Sequence, residues 1–327
     1  MIDAAIVGLG RWGKRLVDSV QHCGRPKSEV IRFTRGVAPT LTRARAYADE
    51  QNLVLTDNLE AALADPAIKA VVLASPHDQH VPQIVAAAGA GKHVFVEKPF
   101  ALTHASALAA VGSAKAAGIV LALGHNRRFL PAMAQLKALV SDGALGTVVH
   151  LEGNFSGPFG PTFAGTWRSQ ETGVGAGVTA MGVHLCDAFI HLCGSVASVR
   201  CNGHRVTLTG GVDDTATAIL RLHSGPSAYF STVLTSRRQW RLQVFGTDGW
   251  CCMRDHHLVD VCLSDDVLRT TTYPTVDIEK AELEAFARAV AGGAAYPLPP
   301  DQAVHGSAVL EALLASAAAG GREVIVP

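Results

Sequence analysis

The chain has 327 residues, of which 48% are hydrophobic, 17% charged and 6% aromatic, with 28 Lys+Arg against 28 Asp+Glu. That length exceeds the roughly 250 to 300 residues at which single cores stop growing, so two domains are expected, and the low charge excludes a mostly disordered chain. The zero net balance leaves no basic footprint for nucleic acid or an anionic membrane, and no run approaches about 18 consecutive apolar residues.

Met1-Ile2-Asp3 lacks the basic flank of a signal peptide, which predicts a cytoplasmic protein. Seven scattered cysteines (Cys23, Cys186, Cys193, Cys201, Cys251, Cys252, Cys262) form no CxxC pair and read as free thiols of a reducing compartment. Cys251 and Cys252 are expected on opposite faces of one strand.

In chain order, short apolar runs alternate with helical patterns, the mark of βαβ units and a parallel sheet. Strands are predicted at Ala4-Val7, Val30-Phe33, Ala70-Ala74, His93-Val96 and Val120-Leu123. Helices are predicted at Trp12-Val20, Thr42-Glu50, Leu59-Ala64, Val81-Ala90 and Ala105-Ala117. The strands are apolar on both faces, as expected under helices on both sides.

Past residue 124 the texture changes to longer alternating strands such as Thr215-Leu222 and Trp240-Phe245, the latter ending in a Gly-Thr-Asp-Gly turn signal. Further helices are predicted at Leu130-Val140, Gly182-Leu192, Glu279-Val290 and Gln302-Ala318. The expected class is α/β: a Rossmann doubly wound parallel sheet over residues 1–123, then an α+β domain over 124–327 with a large, mainly antiparallel open sheet.

Gly8-Leu9-Gly10-Arg11-Trp12-Gly13 places GxGxxG after the first strand and at the mouth of a helix. Gly8 permits the tight turn, Gly10 lets the backbone approach a pyrophosphate, and Gly13 lets helix pack on strand. The helix N-terminus offers free N–H groups to the phosphates. An acidic residue past the second strand would hold a ribose 2′-hydroxyl, but Val30-Ile31-Arg32-Phe33-Thr34-Arg35-Gly36 has none. Thr34 and Arg35 are therefore read as ligands of a 2′-phosphate, favouring NADP with NAD as the alternative. Arg32 and Arg35 as plain surface charges is the other reading.

The glycine motif, Ala74-Ser75-Pro76-His77-Asp78-Gln79-His80, Gly91-Lys92-His93-Val94-Phe95-Val96-Glu97-Lys98-Pro99, Trp167-Arg168 and Gly182-Val183-His184-Leu185-Cys186-Asp187 follow one another along the chain. In this order they resemble the glucose-fructose oxidoreductase / inositol dehydrogenase / rhizopine-catabolism (Gfo/Idh/MocA) family. The resemblance implies hydride transfer between a nicotinamide cofactor and a small hydroxylated or carbonyl compound of the sugar, polyol or cyclic alcohol class. It also implies Lys98 as catalytic, His184 as second acid/base or substrate ligand, a cis bond at Pro99, and dimers or tetramers formed through the second sheet.

The chemistry agrees, since oxidising a hydroxyl by hydride transfer needs a group to take its proton. Lys98 follows a strand's carboxyl end, where ligands of open α/β sheets bind, and burial beside a cationic ring would lower its pKa. Ser75, Pro76, His80 and Glu97 are expected to line the cofactor cleft, with Glu97 structural.

His184, Asp187 and His191 share one face of the predicted helix. That face reads as a polar substrate site, a metal site or packed histidines; no third cluster has ligand spacing, so no metal is expected. Further substrate candidates are His125, Arg127, Trp167, Arg168 and Thr179, with Arg168 read equally as a substrate clamp or a salt bridge. One departure stands out: where the family commonly has an Asp four residues before the His, this chain has Ala180. A methyl cannot hold a sugar hydroxyl, so a less hydroxylated substrate enters the reading, with Thr179, Asp187 or Glu171 as replacements. The departure also keeps two rivals open, a non-catalytic dinucleotide-gated binding protein and a lyase or glycosidase with transient oxidation.

Overall fold

The computed structural model describes every residue except 23, 25, 161–172, 174 and 210. The described residues form two compact units, Met1–Asn126 with Asp277–Val304, and Arg127–Val276 with His305–Pro327.

The first unit runs β1 (Ile2–Val7), α1 (Arg11–Gln21), β2 (Ile31–Val37), α2 (Leu41–Glu50), β3 (Val54–Thr56), α3 (Leu59–Ala64), β4 (Ala70–Leu73), α4 (His80–Gly89), β5 (His93–Glu97), α5 (His104–Ala116) and β6 (Leu121–Gly124). All six strands pair in parallel, in the order β3-β2-β1-β4-β5-β6. Alternate residues of each strand feed two separate cores, which is why the strands are apolar throughout. Ala5, Val7, Val71, Leu73, Val94 and Val96 pack under Ala62 and Leu63 of α3, Ile84 and Ala87 of α4, and Ala107 and Ala110 of α5. Ala4, Ile6, Ile31, Phe33, Val72 and Phe95 face Leu16, Val17 and Val20 of α1 and Ala44 and Ala48 of α2.

The second core is completed from far down the chain. In α9 (Ile278–Val290), Leu283, Phe286 and Ala287 fill the layer beside α1, and the Phe286 ring lies 5.8 Å from that of Phe95. A linear partition at residue 123 omits this return, because periodicity shows that a helix has an apolar face but not which core receives it.

The second unit contains α6 (Pro131–Ser141), β7 (Val148–Pro158), α7 (Gly175–Gly177), α8 (Val183–Cys193), β8 (Val196–His204), β9 (Thr215–Leu222), β10 (Ser227–Val233), β11 (Thr235–Gly246), β12 (Gly249–Arg254), β13 (Leu258–Leu263) and β14 (Leu268–Thr272). It also takes residues 305–318 of α10 (Pro300–Ala318) and the short β15 (Val324–Ile325). Its nine strands order as β14-β13-β12-β11-β7-β10-β9-β8-β15, antiparallel except for the β7–β10 pair. One face is buried, as Ala216, Ala218, Leu220 and Leu222 show, while Ile219 on the other is 55% exposed.

A π-turn segment, Val178–Gly182, joins α7 to α8 without a break. The run Gly175–Cys193 is the one helical stretch among the described residues long and apolar enough to cross a membrane, and 83% of it is buried inside the molecule as a core helix. Gly153 of β7 lets α8 press on the sheet: a Cβ there would stand 2.8 Å from Leu185 and 3.2 Å from Phe189.

Candidate active site

Gly8 has φ +94°, the left-handed region, and a Cβ on it would lie 2.6 Å from the Ala74 carbonyl oxygen. A Cβ on Gly13 would overlap the Gly8 carbonyl, so α1 packs on the turn only with glycine there. Nothing lies within 4 Å of a Cβ at Gly10, so space is open there, where a pyrophosphate would approach. Gly10 caps α1 without a side chain, leaving the first N–H groups of the helix, at Arg11 and Trp12, to an anion. Leu9 packs inward against Gly36. The turn therefore fits a dinucleotide by shape as well as by motif.

The structure relocates the ribose end of the site. β2 extends to Val37, whose carbonyl accepts from the Gly8 N–H, and Val7 pairs with Val37. Thr34 and Arg35 are interior to the strand, and Arg35 forms an ion pair with Asp65 at 2.6 Å. Arg32 is likewise paired, with Asp3. The reading of Thr34 and Arg35 as 2′-phosphate ligands is corrected: the C-terminal end of β2 carries Ala38, Pro39 and Thr40. The misplacement came from ending the strand at the last large apolar residue, Phe33, although Gly36 and Val37 continue it beneath Leu9.

Ser75, Pro76, His80, Glu97 and Lys98 come together at the C-terminal ends of the neighbouring strands β4 and β5. Ser75 Oγ donates to Gln83 at 2.6 Å, and Pro76 leads into a 3-10 turn, His77–Gln79. His80 opens α4, wholly buried, with Nδ1 2.8 Å from the Pro99 carbonyl and Nε2 3.1 Å from the Ser75 carbonyl. The Lys98–Pro99 peptide bond is cis.

Glu97 is buried, and burial pushes its carboxyl pKa up to about 7 against the pull of Lys98 beside it. The Trp12 indole, from the glycine motif, also opposes the rise, and the Lys98 backbone N–H donates to Glu97 Oε2 at 3.3 Å. Glu279 of α9 adds to the upward push and is itself buried, held by Arg15 at 2.9 Å and by Asn126 Nδ2 at 3.3 Å. No sequence signal singled out Glu279, since its chain separation from the motif is large. His125, between β6 and Asn126, is buried in the first unit.

In the second unit, His184 is buried on α8 with its ring 5.8 Å from that of Phe155. The Arg127 guanidinium lies 4.2 Å from the Phe155 ring centroid and 4.7 Å from that of Trp240, and these two rings meet edge-on at 5.3 Å. His256 faces Trp240 at 5.8 Å; burial and the Arg127 charge hold its pKa down near 4. Thr179 is buried in the π-turn. Ala180 is half-buried and, like Phe155, Phe159 and Leu208, packs against the cluster of Ala176, Met181, Val212 and Leu234.

Asp187, expected as a substrate ligand, is engaged by Arg128, whose Nε and Nη2 reach its carboxylate at 2.7 to 3.1 Å with both side chains buried. Arg128 directly follows the substrate candidate Arg127 in sequence, and no motif marks it. His191, on the same helix, is held down near pKa 4 by burial and Arg128. Trp167, Arg168 and Glu171 lie outside the described residues, as does Cys23.

Comparison with known proteins covers both units. Residues 2–125 match the oxidoreductase family with NAD-binding Rossmann fold, and residues 133–252 match the GFO/IDH/MocA C-terminal domain. Among curated relatives, the "uncharacterized oxidoreductase YdgJ" of Escherichia coli K12 is 29% identical over 249 residues, 76% of this chain and 70% of that one. The 1,5-anhydro-D-fructose reductase of Ensifer adhaerens is 29% identical over 251 residues, 74% of each.

Among solved structures, levoglucosan dehydrogenase in complex with NADH and L-sorbose superposes with a TM-score of 0.86 at 20% identity, covering 100% of this chain and 99% of that one. An NAD-binding oxidoreductase from Klebsiella pneumoniae gives 0.85 at 20% identity over 100% and 99%. With the glycine turn, the Glu-Lys-Pro segment at the end of β5 and family matches over residues 2–125 and 133–252, this chain belongs to the Gfo/Idh/MocA family of NAD(P)-dependent oxidoreductases, and it is an enzyme.

Proposed function

We propose that the protein transfers hydride between NADP and the carbinol or carbonyl carbon of a small sugar, polyol or cyclic alcohol. Lys98 is the proton donor and acceptor, and His184 is a second acid/base or substrate ligand. The observation that carries this reading is the placement of Lys98. It stands at the C-terminal end of β5, beside a buried Glu97 and on the same sheet edge as the glycine turn that closes over β1.

When bound, the nicotinamide supplies hydride chemistry. The chain supplies the rest: the Gly8–Gly13 turn and the N-terminus of α1 hold the phosphates, while Ser75 and Pro76 line the turn after β4. Lys98 Nζ takes the hydroxyl proton as the carbinol is oxidised and returns it in reduction. On the substrate side, His184 lies beside Phe155, whose ring also carries the Arg127 guanidinium, and Ala180 offers a methyl in place of a carboxylate, which favours a compound with an apolar edge over a fully hydroxylated one. Relatives named 1,5-anhydro-D-fructose reductase, levoglucosan dehydrogenase and NADP-dependent scyllo-inositol 2-dehydrogenase point to the cyclic sugar and polyol class.

NADP is favoured because the end of β2 carries Ala38, Pro39 and Thr40 and no carboxylate. The Thr40 hydroxyl caps nothing in α2, and Arg43 stands exposed in its first turn, so a hydroxyl and a guanidinium are available to a 2′-phosphate. Fluorescence titration with NADPH and NADH tests this on the wild type and on Arg43→Ala. NADPH is expected to bind tighter in the wild type, and Arg43→Ala to lower that preference about tenfold, since the exposed guanidinium that would pair with the 2′-phosphate is removed. Equal affinities in both proteins would sink the NADP assignment. Turnover on a panel of cyclic polyols and their ketones is expected to be lost in Lys98→Met with dinucleotide binding kept; full activity would remove Lys98 from the mechanism.

A further inference from the structure

The turns after β4 and β5 both meet one buried ring. His80 Nδ1 lies 2.8 Å from the Pro99 carbonyl oxygen, and Nε2 lies 3.1 Å from that of Ser75. Both partners are acceptors, and a neutral imidazole has one N–H, so it donates to one carbonyl and only an imidazolium donates to both. The shorter contact puts the proton of the neutral ring on Nδ1, toward Pro99. The side chain is wholly buried, so water cannot replace either partner.

The charged and titratable neighbours are His77, 5.9 Å away ring to ring, and Asp78 from the 3-10 turn before α4, together with Lys98 from the turn after β5. Asp78 favours the charged ring, whereas burial and Lys98 oppose it, with burial the larger.

We propose that His80 is a positioning residue, which ties the backbone on either side of the cofactor cleft, Ser75 after β4 and Pro99 after β5, and thereby fixes where the Lys98 amine stands. The inference rests on the reading of Lys98 as the proton-transfer group. Pro99 is covalently the next residue, so a carbonyl held at 2.8 Å restrains the Lys98 backbone directly. Removing the donor leaves that carbonyl buried without a partner, and the turn must shift to find one. Displacements of about 1 Å at a reacting group cost catalysis on the order of a hundredfold, so a residue that touches neither cofactor nor substrate can govern the rate.

The test uses the full-length protein as wild type, His80→Leu and His80→Gln. Reductive methylation with formaldehyde and borohydride is followed by mass spectrometry across pH, with Lys98 scored against the exposed Lys115 of α5 as internal reference. In His80→Leu the Lys98/Lys115 ratio is expected to change by about tenfold and its pH profile to shift, reflecting a lost buried donor. His80→Gln keeps one N–H donor and is expected to fall between the two. A folded His80→Leu with an unchanged ratio and profile overturns the proposal. Should His80→Leu fail to fold, His80→Gln decides in the same way: a shifted profile supports the proposal and a wild-type profile overturns it. NADPH titration of the wild type separates the two readings, because failure to bind would sink the functional assignment while the lysine ratio still reports on the tie.

Discussion

Glu97 ends β5 with its side chain turned into the interior, so close beneath Gly124 that a Cβ there would stand 3.0 Å from Oε1. Burial makes the folded state hold this proton more tightly than the unfolded chain does, from a reference of 4.5 up to about 7. Between those values the folded protein binds more protons than the unfolded one, so this group's contribution to stability is present at low pH and lost as pH rises through about 7. The full difference is on the order of 3 kcal/mol at 1.36 kcal/mol per pKa unit. Glu97→Gln keeps the shape and never ionises. Melting curves from pH 4.5 to 8 are therefore expected to show the wild type losing stability relative to Glu97→Gln as pH rises. His191 and His256, held neutral by burial, act in the opposite direction in both proteins and cancel in the difference. Parallel curves for wild type and variant would show that Glu97 ionises normally and is not the buried acid beside Lys98.

At the scale of elements, the strand–turn–helix β1–α1 makes separable demands on its glycines. A Cβ at Gly13 meets backbone and forces overpacking, which costs about 1 to 3 kcal/mol. A Cβ at Gly10 meets no protein atom, and its φ of −74° is ordinary for any residue. Gly13→Ala is therefore expected to lower both the melting temperature and NADPH affinity, whereas Gly10→Ala lowers only affinity, because its methyl intrudes on the phosphates alone. Equal destabilisation by both would mean that the open space at Gly10 is not the pyrophosphate path. This motif was legible from sequence because each glycine has a local steric reason. The site residues around it were legible unevenly. Ser75, His80, Glu97 and Lys98 lie in motifs at strand ends, so their place followed from parallel topology. Thr34 and Arg35 were misplaced because a strand end has no mark in sequence when small residues continue it, and the Arg128 partner of Asp187 was not legible because it is 59 residues away.

At the scale of the molecule, the change from short apolar strands to alternating ones revealed two sheets, and Cys251 and Cys252 do face opposite ways, pairing with inward Val244 and outward Gln243. What alternation could not tell is what covers the outward face. That face carries cross-strand polar links, with Asn154 donating to Ser231 at 2.8 Å, His150 and Ser227 at 2.7 Å, and Arg241 donating to Glu152 at 2.9 Å. Interleaved with them are Ile219 beside Tyr229, and Phe245 beside both His150 and Trp250. Aromatic and aliphatic side chains set among satisfied polar pairs resemble the core and rim of a subunit interface. A second copy of the chain is the proposed occupant, giving a homodimer or homotetramer. Ile219 is 55% exposed, so Ile219→Arg costs the fold little while placing a charge where a partner sheet would desolvate it. Light scattering after size exclusion is expected to give a multiple of the chain mass for the wild type and a smaller species for the variant. NADPH affinity should be unchanged, since the glycine turn belongs to the other unit. A monomeric wild type would refute the assignment of this face. An oligomer indifferent to Ile219→Arg would move the interface elsewhere.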